Sequence, residues 1–207
     1  MAAIQDRILE RIRAGRGKVF ISKDFLDLAN RAAVDQALSR LVRAKGIERI
    51  GRGLYYIPRE NTRLGIALSP ATDEIAMALG RQTGSRVVPS GAVAANQLGL
   101  STQVPARPVY LTNGRTRHVR VNDLILTVKH TAPKEMPPGR DMAAMVFQAL
   151  RHIGRDAVDS FVLSRLRKAL SSHQKRELLQ DARYTTDWIA EVVRAVAAEE
   201  KEVMTHG

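Results

Sequence analysis

The richest chemistry in this chain of 207 residues belongs to its arginines, and Arg40, Arg43, Arg49 and Arg52 lie close together in it. Ala32, Gln36 and Ser39 precede them, so the stretch offers methyl, amide, hydroxyl and guanidinium groups. A guanidinium reads guanine through two hydrogen bonds, an amide reads adenine, and a small residue leaves room for a base edge. Guanidinium groups also neutralise phosphates. The chemistry is therefore recognition of a polyanion, with double-stranded DNA as the expected partner. The same residues could instead form the solvated basic face of an ordinary helix and hairpin.

Other chemistries find fewer of the residues they need. The histidines His118, His130, His152, His173 and His206 show no metal-ligand spacing. The absence of cysteine excludes disulfides and thiolate metal sites. No phosphate-cradling G-x-x-x-x-G-K-[ST] run, dinucleotide-type G-x-G-x-x-G or G-x-S-x-G elbow occurs. Pro89-Ser90-Gly91 reads as a helix cap rather than as a nucleophile. A restriction-type nuclease would hold magnesium with an acidic residue and a later carboxylate-x-lysine. Here Asp123 precedes Thr127-Val128-Lys129, so threonine stands where the second carboxylate is needed. No metal, cofactor or catalytic residue is assigned. A second basic cluster, Arg115, Arg117, His118 and Arg120, reads as an accessory phosphate or partner surface, or equally as an exposed hairpin.

Specific helices and strands must position these groups. At about 100° per residue Val34, Leu38, Leu41 and Val42 form one stripe, which leaves Ala32, Gln36, Ser39, Arg40 and Arg43 on the opposite face. Asn30 can cap this helix, and Lys45-Gly46 supplies a basic last turn and a glycine stop. Ile47, Ile50, Leu54 and Ile57 then mark two strands bent at Gly51-Arg52-Gly53, with Arg52 at the tip. Upstream, Ile4, Ile8, Leu9 and Ile12 share one helical face, Val19 to Ile21 suit a short strand, and Ser22 would cap a helix over 23–29. The order predicts a winged helix-turn-helix over residues 1–60.

Pro58 to Thr62 reads as a linker, and residues 61–207 as a small mixed α/β domain with a helical tail, so the fold class is α+β. Ser69-Pro70 should start a helix running to Gln82, and Ser90 a shorter one to Leu98. Residues 87–89, 109–112, 117–121 and 124–129 read as strands, and the turn dipeptides Asn113-Gly114 and Asn122-Asp123 make the sheet partly antiparallel. Helices are expected over 142–153, 157–170, 174–182 and 187–203, with Trp188 packed into this domain.

The net charge of +12 is unevenly spread. Residues 1–60 hold 13 Lys+Arg against 7 Asp+Glu, residues 61–140 hold 10 against 4, and residues 141–207 hold 10 against 10. A polyanion should thus face the first two segments. A membrane surface ranks lower, because no helix joins a basic face to a large aromatic and leucine face. The N-terminus lacks the apolar core of a signal peptide and no apolar run is long enough to span a bilayer, so the expected location is the cytoplasm.

The stretches RAAVDQALSRLVRAKGIERIGRGLYYIP and PSGAVAANQLGLSTQVPARPVYLTNGRTRHVRVNDLILTVKH carry a resemblance. Together they cover most of residues 20–135, and in them the chain resembles the type IV abortive-infection antitoxins of the AbiEi kind, in particular a shorter bacterial group. The resemblance implies an antitoxin that represses its own promoter, at inverted repeats, through the winged helix. It further implies that the second domain counteracts a nucleotidyltransferase-like toxin without an obligatory stable complex. A stand-alone winged-helix transcription regulator is the alternative, with a restriction-type nuclease behind it. The family carries no catalytic motif onto these residues.

Overall fold

The computed structural model describes residues 4–198, apart from 62, 64, 133–135 and 137. Thr62 of the expected linker, His206 and the expected helix end at Val203 lie outside the described residues. In chain order the elements are α1 (Ile4–Ala14), β1 (Phe20–Ile21), a 3₁₀ turn (Ser22–Phe25), α2 (Arg31–Arg43), β2 (Glu48–Gly51), β3 (Leu54–Tyr56), β4 (Arg59–Asn61) and β5 (Ile66–Leu68). There follow α3 (Thr72–Thr83), β6 (Val87–Pro89), α4 (Gly91–Gln97), β7 (Val109–Thr112), β8 (Arg117–Val121) and β9 (Leu124–His130). The last are α5 (Asp141–Ile153), α6 (Ser160–Ala169), α7 (Ser172–Asp181) and α8 (Asp187–Ala197). The class is α+β.

The chain forms two units, and it passes between them more than once. Residues up to Val87 together with Gly114–Lys129 make the first, and Val88–Asn113 with the residues from His130 onward make the second.

In the first unit, α1 buries Ile8 and Ile12 one helical turn apart. They meet Phe25, Val34, Leu38 and Ile47 in one core, and each such side chain contributes roughly 1.5–3 kcal/mol by leaving water. Strands β1, β3 and β2 form an antiparallel sheet in that order. Residues 23–29 do not form the expected α-helix. Leu26 and Leu28 donate instead to the carbonyls of Lys23 and Phe25, three residues back. Arg11 Nη1 takes the Asp24 carbonyl at 2.7 Å, the acceptor that an α-helix would reserve for the amide of Leu28.

Arg59–Asn61 of the segment read as a linker form a strand, because β4 pairs antiparallel with β5, Arg59 opposite Leu68. Helix α3 begins at Thr72 rather than at Ser69-Pro70. Ser69 is engaged elsewhere, accepting from Asn122 Nδ2 at 3.0 Å. Arg81 of α3 donates to the Val19 carbonyl at 2.7 Å, which ties the helix to the start of the sheet. Strands β8 and β9 form the expected hairpin, Val121 opposite Leu124, with Asn122 at φ 53° in the turn.

The second unit is mainly helical. Helices α4 and α5 pack closely, and their core continues through Val162, Leu166, Leu178, Ile189 and Val193, with Trp188 packed against it. Helix α6 starts at Ser160, later than the periodicity predicts, because the Asp159 side chain accepts from the Val162 amide and fixes the cap there. Asp181, buried at the end of α7, accepts from the Arg140 amide at 2.7 Å and so holds the start of α5. Ser90 occupies the N-cap position of α4 without a side-chain cap bond.

Candidate nucleic-acid interface

The helix expected to carry recognition forms as α2, and both of its ends are fixed by hydrogen bonds. Asn30 Oδ1 accepts from the Ala33 amide at 3.0 Å. At the other end Gly46 donates to Leu41 and Lys45 to Val42, closing a Schellman motif. The left-handed position in it is taken by Lys45 at φ 55°, not by Gly46.

Val34, Ala37, Leu38 and Leu41 are buried. Ala32, Gln36, Ser39, Arg40 and Arg43 are all exposed on the other side of the helix. Neither Arg40 nor Arg43 has an ion-pair partner among the described residues. The face thus offers amide, hydroxyl and two unengaged guanidinium groups to solvent.

Asp35, on the flank of this face, is not available in the same way. Its carboxylate pairs with Arg31 Nε at 2.7 Å, one turn away. Burial acts to raise its pKa, but hydrogen bonds from Arg31 and Ser22 and the Arg31 charge outweigh burial and hold it below the usual carboxylate range.

The hairpin after α2 is a β2–β3 ladder in which Arg49 stands opposite Tyr55 and Gly51 opposite Leu54, with a bulge between Arg49 and Gly51. Only Gly53 of the expected glycine pair takes a left-handed φ, at 73°. Arg49 and Arg52 are exposed. Arg49 Nε bonds the Gly51 carbonyl at 3.0 Å, which bends its side chain back along the hairpin. The Arg52 carbonyl accepts from Gln82 Nε2 at 2.9 Å, so the turn is anchored to α3.

The second basic cluster divides between the faces of β8. Val119 is buried and Arg117 half-buried on one face, while His118 and Arg120 are exposed on the other, as the two-residue period of a strand requires. Arg117 Nη1 donates to Gln82 Oε1 at 3.0 Å. His118 Nδ1 lies 3.1 Å from Thr127 Oγ1, and Arg120 Nε donates to the Asn122 carbonyl at 3.2 Å. Arg115 is exposed just before the strand. Gln82 therefore joins the first hairpin to the second cluster, a role no local motif announces. Arg31 was likewise missed, although its spacing of four from Asp35 was visible as a helical ion pair.

Among the described residues, no three side chains of His, Asp or Glu gather into a cation site. The fold and its surfaces define an α+β chain that displays a carboxylate-poor helix beside a basic hairpin. The chain belongs to a family of unknown function, DUF6088, whose profile matches residues 7–178, from α1 into α7. No curated protein matches it significantly.

Proposed function

We propose that this protein is a sequence-specific DNA-binding repressor whose first unit contains a winged helix-turn-helix. In this reading α2 is the recognition helix and the β2–β3 hairpin is the wing. The observation that carries it is the exposed face of Ala32, Gln36, Ser39, Arg40 and Arg43, five groups without a carboxylate on a helix capped at both ends. Such a face suits a major groove, where base edges are read by side chains of these types. Arg49 and Arg52 would contact the flanking backbone.

The resemblance of residues 20–135 to AbiEi-type antitoxins supports the fuller role, repression of the protein's own operon and opposition to a nucleotidyltransferase-like toxin. The reading assigns the chain no reaction of its own, so metal-dependent cleavage of plasmid DNA by the purified protein would overturn it.

The test of DNA reading is Arg40→Ala. If Arg40 makes a bidentate base contact, the variant loses roughly 1–3 kcal/mol on the upstream promoter fragment and much less on random duplex. Fluorescence anisotropy with both DNAs measures the difference. Equal losses on both would remove Arg40 from base recognition, and no binding by the parent protein would remove the proposal.

A further inference from the structure

The first unit holds a cleft of about 490 Å³ with four arginines in its lining. Arg31 comes from the start of α2, Arg49 and Arg52 from the β2–β3 hairpin, and Arg117 from β8; Asp35 is the one carboxylate among the residues lining it. That carboxylate is engaged by Arg31. The other three guanidinium groups meet no negative charge among the described residues. Arg49 and Arg117 make only the neutral contacts to the Gly51 carbonyl and the Gln82 side chain.

The arrangement is braced. Gln82 donates to the Arg52 carbonyl through one end of its amide and accepts from Arg117 through the other, so one side chain holds the hairpin turn and β8 in register. Three cations held in one concave site repel one another, and a compact anion of high charge relieves that repulsion. A phosphate ester brings about two negative charges and three strong acceptors, and the planar guanidinium fork matches its geometry. The volume falls within the range of roughly 300–1,000 Å³ common to small-ligand sites, leaving room for a group attached to the phosphate.

We infer that the cleft formed by Arg31, Arg49, Arg52 and Arg117 is a phosphate-binding site. The phosphate could belong to a small phosphorylated molecule or to a nucleic-acid backbone. The first source would make the site regulatory, since Arg49 and Arg52 cannot engage the small molecule and DNA at once.

The experiment is isothermal titration calorimetry of the full chain with inorganic pyrophosphate at fixed ionic strength, comparing the parent with Arg117→Gln, Arg49→Gln and Arg13→Gln. The last removes the same charge from exposed Arg13 of α1, outside the cleft. Binding by the parent, weakened at least tenfold by Arg117→Gln and by Arg49→Gln but less than twofold by Arg13→Gln, establishes the site, and its source is a small molecule if the same variants leave the salt dependence of promoter binding unchanged. Thermal melts check each variant, and should Arg117→Gln fail to fold, exposed Arg49 carries the comparison.

A second arm measures promoter-fragment affinity against salt. If pyrophosphate does not bind, yet Arg117→Gln or Arg49→Gln flattens the slope of log affinity against log salt by about 0.9 and Arg13→Gln does not, the phosphate is that of the DNA. The inference is overturned if all three variants weaken pyrophosphate equally. It is also overturned if pyrophosphate is not bound and the cleft variants affect DNA no more than Arg13→Gln. The calorimetric arm contains no DNA, so its outcome is independent of the proposed repressor function.

Discussion

Across the β2–β3 ladder the Tyr56 hydroxyl donates to Glu48 Oε2 at 2.5 Å. Burial, and then the Glu48 acceptor and its charge, push the phenol up to about 12 from its ordinary 10.0. The folded state therefore keeps a proton that the unfolded chain releases near pH 10. This contribution to stability is complete below about pH 10 and is lost as pH rises towards 12. An absorbance titration at alkaline pH should show one phenol ionising last, and Tyr56→Phe should remove that step and flatten the alkaline loss of stability. Identical alkaline profiles for both proteins would sink this account. Arg11 shows a second kind of residue-scale control. It grips Asp27 through two bonds of 2.7 Å while also holding the Asp24 carbonyl, so one guanidinium sets the shape of the segment between β1 and α2. The Asp27 bond raises the Arg11 pKa and lowers that of Asp27.

Among the elements, α2 follows its local code and the 3₁₀ segment before it does not. Thirteen residues with a cap at each end and a stripe of four buried side chains offset the cost of helix nucleation, whereas a seven-residue helix over 23–29 would depend on tertiary contacts almost entirely, and those contacts favour the tighter turn. Helix α4 is likewise short, and packing against α5 holds it. A Cβ at Gly91 would stand 2.6 Å from His152 Cβ and 2.9 Å from the Gln148 carbonyl oxygen, and neither neighbour is the free end of a flexible side chain. Gly91→Ala should therefore lower stability by about 1–3 kcal/mol, read from chemical denaturation, through forced separation of the two helices. An unchanged midpoint would show that α4 and α5 part without cost.

On the scale of the molecule, the charge excess of residues 1–140 contrasts with the balance of 10 cations and 10 anions in residues 141–207. No described helix is long and apolar enough to cross a membrane. If the basic part meets DNA, affinity for any duplex should fall steeply with salt. Arg52→Ala should then make the slope of log affinity against log salt shallower by about 0.9, one phosphate's worth, with little change in stability. An unchanged slope and affinity would take Arg52 off the DNA. The sequence by itself determined α2, its exposed basic face and both hairpins, because periodicity, an Asn cap and turn dipeptides act within a few residues of one another. Tertiary structure decided which basic groups share a site. Gln82 reaches Arg52 across 30 positions and Arg117 across 35, and each of those contacts depends on how α3 packs against the sheet. It also gave Lys45 the left-handed turn that Gly46 was expected to take, and turned Arg59–Asn61 of the expected linker into a strand paired with β5. Such contacts leave no local pattern, because a hydrogen bond between distant residues depends on where the packed core places their backbones and not on the residues beside them.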